Sequence, residues 1–182
     1  MTTILLESVG LCAHYSKQGD WAFDVALSLA KERNIQLNIF YFLEDPYGLE
    51  KALPTGLSRE ERGKIIVEKE RKLRFYYDER LGEHLKAGFR VCEDREWTEL
   101  RRCLIRREFQ LIIVPHLSEN TTFGGQHIVK FAYEFGAPMM LVGPHHPDEI
   151  HLNQPARMIS DQLQLPGETW QLIGAKSVEK YD

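Results

Sequence analysis

The sequence predicts an α/β protein built on a parallel sheet with helices on both faces. Three observations carry that reading. Leu111-Ile112-Ile113-Val114 and Met139-Met140-Leu141-Val142 are short, continuous apolar runs, the form strands take when both faces of a sheet are covered. Between them Ile128, Phe131, Ala132 and Phe135 fall at i, i+3, i+4 and i+7, one face of a helix. Strand, helix and strand of this length make a βαβ crossover, and upstream the chain alternates strand-like and helix-like segments in the same way.

In order, Ile4-Leu5-Leu6 reads as the opening strand and Val9 to Gly19, with Gly10, Ser16 and Gly19, as a loop. Asp20 is the expected cap of a first helix whose inner stripe is Ala22, Val25, Ala26, Leu29 and Ala30, with Asn34 as its stop. Leu37 to Leu43 is β-rich and mostly apolar, a second strand. Residues 44–57 hold Pro46, Gly48, Pro54 and Gly56 and connect it to the next element. Ser58 and Glu61 have capping-box spacing, which starts a long helix running to about Leu85 with Ile66, Leu73, Tyr77, Leu81 and Leu85 inside. Its Glu68, Lys69, Arg71, Lys72 and Glu79 read as a solvated face. Phe89 to Cys92 alternates as a third strand, and Trp97, Leu100, Cys103, Leu104 and Phe109 mark a third helix. Arg101, Arg102, Arg106 and Arg107 on that helix are offset by Glu96, Glu99 and Glu108, so solvent is preferred to an acidic partner.

After Pro144 the alternation stops. Residues 151–156 read as polar and extended. Gln162 to Leu165 and Trp170 to Ile173 flank Pro166-Gly167-Glu168-Thr169 as a small hairpin. The expected organisation is an α/β domain over 1–146 and a C-terminal extension over 147–182. The extension buries its apolar residues either on its own domain or, by swapping, across a dimer.

With 182 residues, 43% hydrophobic, the chain has material for one well-buried core. A net charge of −4 argues against nucleic acid and anionic membrane as partners, since both need a basic surface. No apolar run has the length of a membrane span and no cleavable leader is legible, so the expected location is cytoplasmic. Cys12, Cys92 and Cys103 are odd in number and far apart, which disfavours a disulfide framework or structural zinc. Trp21, Trp97 and Trp170 read as core or interface rather than a platform for bases.

The strand order, the alanine-rich first helix and above all Gly125 to Val142, a glycine opening a helix followed by a turn, Pro138 and an apolar last strand, resemble the universal stress protein family over residues 4–144. That resemblance implies a Rossmann-like three-layer sandwich with a five-stranded parallel sheet in the order 3-2-1-4-5, homodimerisation, and a role in stress response or regulation without enzymatic activity. Family members that bind ATP carry a Gly-x2-Gly-x9-Gly-Ser/Thr motif, whose amides and hydroxyl meet phosphate at a helix start. Only Gly125 matches it here. Gln126 stands at the hydroxyl position, the first two glycines are absent, and Val9 falls where those members have an aspartate. Ordinary ATP binding is therefore not expected.

Two alternatives remain. A nucleotide (ATP or AMP) or small-anion module would use Thr121, Thr122, Gly124, Gly125, Gln126 and His127 at the helix start. A metal-dependent hydrolase would gather His14, His116, His145 and His146, with Asp148 near, at the carboxyl ends of the first, fourth and fifth strands, although no recognised metal-ligand spacing is present. A regulatory protein partner is a further expectation.

Overall fold

In a computed structural model of the chain, residues 4–93, 98–163, 165 and 169–181 are described below. Trp97, Glu96 and the Pro166-Gly167-Glu168 turn, named above, lie outside them.

The first strand, β1 (Ser8–Cys12), lies where a loop was expected, while Ile4 to Leu6 is not a strand. Gly10 misled the reading: it is in mid-strand because a Cβ there would come within 3.0 Å of Phe40 and 3.1 Å of Phe109. The 4–6 segment is pinned instead by a side chain of the tail. The Leu6 amide donates to Gln162 Oε1 (2.8 Å), and Gln162 Nε2 donates to the Ile4 carbonyl (2.6 Å). Helix α1 (Lys17–Arg33) is capped by Ser16, whose hydroxyl accepts from the Gly19 amide. Asp20, the expected cap, sits in its first turn and accepts from Tyr76 and Arg80. Asn34 ends the helix in the left-handed region, φ 52°, as anticipated.

Strand β2 (Gln36–Phe42) leads through the 44–57 connection to α2 (Arg59–Leu81), whose Ser58 cap accepts from Glu61 N. Leu73, Tyr77 and Leu81 are buried on its inner face. Leu85 is not: the helix stops at Gly82, φ 57°, and Leu85 is 91% exposed. Strand β3 (Ala87–Cys92), helix α3 (Thr98–Ile105) and strand β4 (Leu111–Pro115) follow. A two-stranded ribbon, β5 (Thr122–Phe123) and β6 (Gln126–His127), precedes α4 (Ile128–Glu134) and β7 (Met139–Val142).

The parallel sheet has the expected order, β3-β2-β1-β4-β7, with Ile112 opposite Met139 and Val114 opposite Leu141. The tail extends it from five strands to seven. Strand β8 (Ile150–Leu152) pairs antiparallel to β7, and β9 (Trp170–Leu172) pairs parallel to β8. The expected hairpin is therefore replaced: residues 160–162 form a 3₁₀ turn, and β9 pairs with β8 instead. Residues expected to be extended are partly helical, in α5 (Gln154–Arg157) capped by Asn153, and the chain closes with α6 (Ala175–Glu179) against α4.

The tail packs on its own chain. One core, on the α1 face, joins Val9, Leu11, Ala26 and Ile113 to Ile150, Leu152 and Leu163; the other, on the α4 face, joins Val114, Phe131 and Leu141 to Ile173 and Val178. Asn153, 0% exposed, ties the two parts together. Its Oδ1 accepts from the Met139 and Ala156 amides, and its Nδ2 donates to the Ala132 and Ala137 carbonyls. All donors and acceptors of a buried amide are thereby used, which makes the burial tolerable.

Candidate functional site

In a sheet of this order the crevice outside the carboxyl ends of β1 and β4 is where a ligand is expected. Here Tyr47 fills it. The Asp45 carboxylate accepts from the amides of Tyr47, Leu49 and Glu50, folding the loop after β2 back over the sheet. Tyr47 is 3% exposed, and its hydroxyl donates to the carbonyl of Pro115, the last residue of β4, at 2.6 Å. Its ring lies edge-on to His14 at 4.9 Å and to Phe123 at 5.1 Å. Burial pushes the phenol pKa well up, so the hydroxyl is a permanent donor. A cavity of about 60 Å³ remains beside it. Small-molecule pockets usually need about 300–1,000 Å³.

The ribbon closes the crevice from the other side. Gly124 and Gly125, φ 61° and 84°, form its two-residue turn, and both positive dihedrals match the type I′ geometry that favours Gly-Gly. The glycine pair is thus a hairpin tip. A Gly-Gly flanked by β-tolerant residues was the signal that could have revealed this. The Gly124 amide donates to the Pro46 carbonyl (2.9 Å), and the Thr122 hydroxyl donates to the Tyr47 carbonyl. The Thr121 hydroxyl is committed to Ser118, donating to its carbonyl and accepting from its amide. The hollow over Gly124 and Gly125 is lined by Glu44, Asp45 and Glu50 and, among the described residues, by no lysine or arginine.

Helix α4 begins at Ile128, after Gln126 and His127, and His127 caps it. Its Nδ1 accepts from the Val129 amide, its Nε2 donates to the Glu119 carbonyl, and its ring stacks on Tyr181 at 3.5 Å. Both ring nitrogens are used internally. Of the anion-site residues, then, Thr121, Thr122, Gly124 and His127 spend their polar groups inside the protein.

The histidines divide between two places. His14 lines the small cavity beside Tyr47 and bonds the Ser16 hydroxyl; burial lowers its pKa, opposed by Asp45 and Glu50. His116 and His145 line a separate cleft between the end of β4 and the tail, and His146 is exposed outside both. His145 donates to Glu119 Oε1 at 3.2 Å. His116 is 6% exposed, and neither ring nitrogen meets a partner among the described residues. Burial, helped by neighbouring His151 and His127 and opposed by Glu149 and a weak interaction with the Ser118 backbone, lowers its pKa to about 4. His151, which lines the same cleft, was not singled out by the sequence. It stands opposite Leu141 and Gln171 in adjacent strands; burial lowers its pKa, opposed by Glu149 and by a hydrogen bond with the Gln171 side chain, and its Nδ1 has no hydrogen-bond partner among the described residues. Among the described residues no group of three or more His, Cys, Asp or Glu is arranged to hold a metal ion.

The sheet order defines a doubly wound, Rossmann-like α/β protein. Among solved structures, a protein from the universal stress protein family of Burkholderia pseudomallei matches with 18% identity and a TM-score of 0.50, over 74% of this chain and 94% of that one. At that identity the likeness is one of fold, and it supports a universal-stress-protein-like α/β architecture for this chain. No family model matches the sequence, and no curated protein matches it either. No described helix is long and apolar enough to cross a membrane.

Proposed function

We propose that this chain is a non-enzymatic regulatory or stress-response module whose fold is of the universal stress protein kind but whose switch-point crevice does not take ATP in the ordinary way. The observation that carries the reading is Tyr47: a buried ring bonded to the end of β4 stands where a nucleotide would have to lie. The carboxylates over the Gly124-Gly125 turn support it, because they repel phosphate. Isothermal calorimetry of the full chain with ATP, AMP and inorganic phosphate is the test. The expected result is no heat of binding at millimolar ligand, and a saturable ATP isotherm overturns the reading.

A homodimer made through this module would use the tail rather than β7, because β8 already pairs with the outer edge of β7. On that side of the sheet the edge strand is β9, three residues long and partly exposed. Sedimentation of the full chain and of Leu172→Glu tests this. A dimer that dissociates in the variant supports the assignment, and a dimer indifferent to it argues for another surface.

A further inference from the structure

On the α1 face of the sheet, helix α1 and the tail leave a groove of about 250 Å³ between them, which shares no lining residue with the crevice at Tyr47 or the cleft at His116. We propose that this groove binds a small organic cation, an ammonium group carried on an apolar body. The lining supplies a place for the body. Leu29, Ile150 and Leu163 line the groove as buried members of the core, and half-buried Trp21 and Val25 stand beside them. Trp21, Val25 and Leu29 are spaced at i, i+4 and i+8, so α1 presents them on one face. An aryl or alkyl group laid on these side chains leaves water for an apolar surface, which is favourable without any directional contact.

Charge decides what the polar end of the ligand must be. Asp24 of α1 and Asp148 of the turn between β7 and β8 line the groove, and among the described residues no lysine or arginine does. The two charges that act on Asp24, Arg80 and Asp20, are already bound to each other at 2.7 Å. Burial raises the Asp24 carboxyl pKa, with Asp20 adding to the shift and Arg80 opposing it. This carboxylate is therefore partly dehydrated, and an incoming cation restores what the lost water supplied. The Trp21 ring already takes an ammonium, since Lys17 Nζ stands 5.8 Å from its centroid, but Lys17 does not line the groove. The same carboxylates repel anions, and a bare metal ion gains nothing from the apolar lining.

The test uses the full chain, with the Trp21 indole ¹H–¹⁵N and Asp24 carboxyl ¹³C resonances as reporters. Phenethylammonium is the cationic probe, phenethyl alcohol its neutral counterpart and phenylacetate its anionic one. Saturable shifts with the cation are expected in the millimolar range. The alcohol should bind about tenfold more weakly, the size of one lost charged contact, and phenylacetate more weakly still. The bound cation should also move the Asp24 titration to lower pH, because an opposite charge favours the carboxylate. Asp24→Asn combined with Asp148→Asn, both at exposed positions, should abolish the preference for the cation over the alcohol. Ser28→Trp, which fills the groove from an exposed position on α1, should weaken both. The proposal is overturned by an absence of saturable shifts with the cation, by equal or tighter binding of the alcohol or phenylacetate, or by a cation preference that survives loss of both carboxylates. Trp21 shifts that follow protein concentration without any probe would give the groove to a second copy of the chain and overturn it as well.

Discussion

Two hollows flank the end of β4, and they are finished differently. In the crevice toward β1 the plug and the ribbon find partners inside the chain: Tyr47 with Pro115, Gly124 with Pro46, Thr122 with Tyr47. The cleft toward the tail stays open, with buried His116 and half-buried His151 among its lining residues. The first has the chemistry of a core, and the second remains a hollow of about 560 Å³. The difference shows that a fold's usual ligand position and its actual open position need not coincide. A loop can occupy the first while an added tail builds the second.

The largest effect is expected where the tail is anchored. Asn153→Ala removes four buried hydrogen bonds and should cost about 3–5 kcal/mol in urea unfolding. A loss below that range would mean that the cleft's outer wall is held by packing alone. Next, Tyr47→Ala empties the filled crevice and should cost about 3–4 kcal/mol, whereas Tyr47→Phe, which only orphans the Pro115 carbonyl, should cost about 1–2 kcal/mol. If Tyr47→Ala gains ATP binding by calorimetry, the plug is what separates the two hollows; if it does not, the carboxylate lining suffices.

Acid should act on the open cleft. His116 has its folded pKa lowered to about 4 from an ordinary value of 6.5. Between these values the unfolded chain takes up a proton that the folded chain refuses, so its contribution is intact above pH 6.5 and is lost as pH falls toward 4. The loss should approach about 3 kcal/mol, in the same direction as that of His151, with Glu149 moderating both. His116→Phe should flatten the stability profile over that window; an unchanged slope would place the acid sensitivity elsewhere. The smallest effect belongs to the hairpin tip. Gly124→Ala, at φ 61°, should cost about 1 kcal/mol, and Gly124→Asn less, by thermal unfolding. Equal costs for both would show that the dihedral is not what limits the site.

Much of the fold was legible in the chain because burial on both faces writes itself as unbroken apolar runs. Leu111–Val114 and Met139–Val142 are parallel neighbours, and the stripe on α1 faces the sheet. The misses share a cause as well. Gly10 resembles loop composition, but it is a strand residue that makes room for Phe40 and Phe109, a demand set by residues far away in sequence. Gly124-Gly125 was assigned to a helix start because a glycine at that spacing fits a phosphate cradle, and the short ribbon that uses it is held by Pro46 and Tyr47 across the fold.

By itself, then, the sequence determined the layers: periodicity says which side of each element is dry, and the alternation of strand and helix makes the sheet parallel. Only the tertiary structure decided that Tyr47 would close the crevice, that β8 and β9 would extend the sheet, and that His116 and His151 would share a cleft. The physical reason is range. Periodic burial is a local property carried by neighbouring residues, whereas a plug, an added sheet edge and a shared cleft exist only once distant segments have packed together.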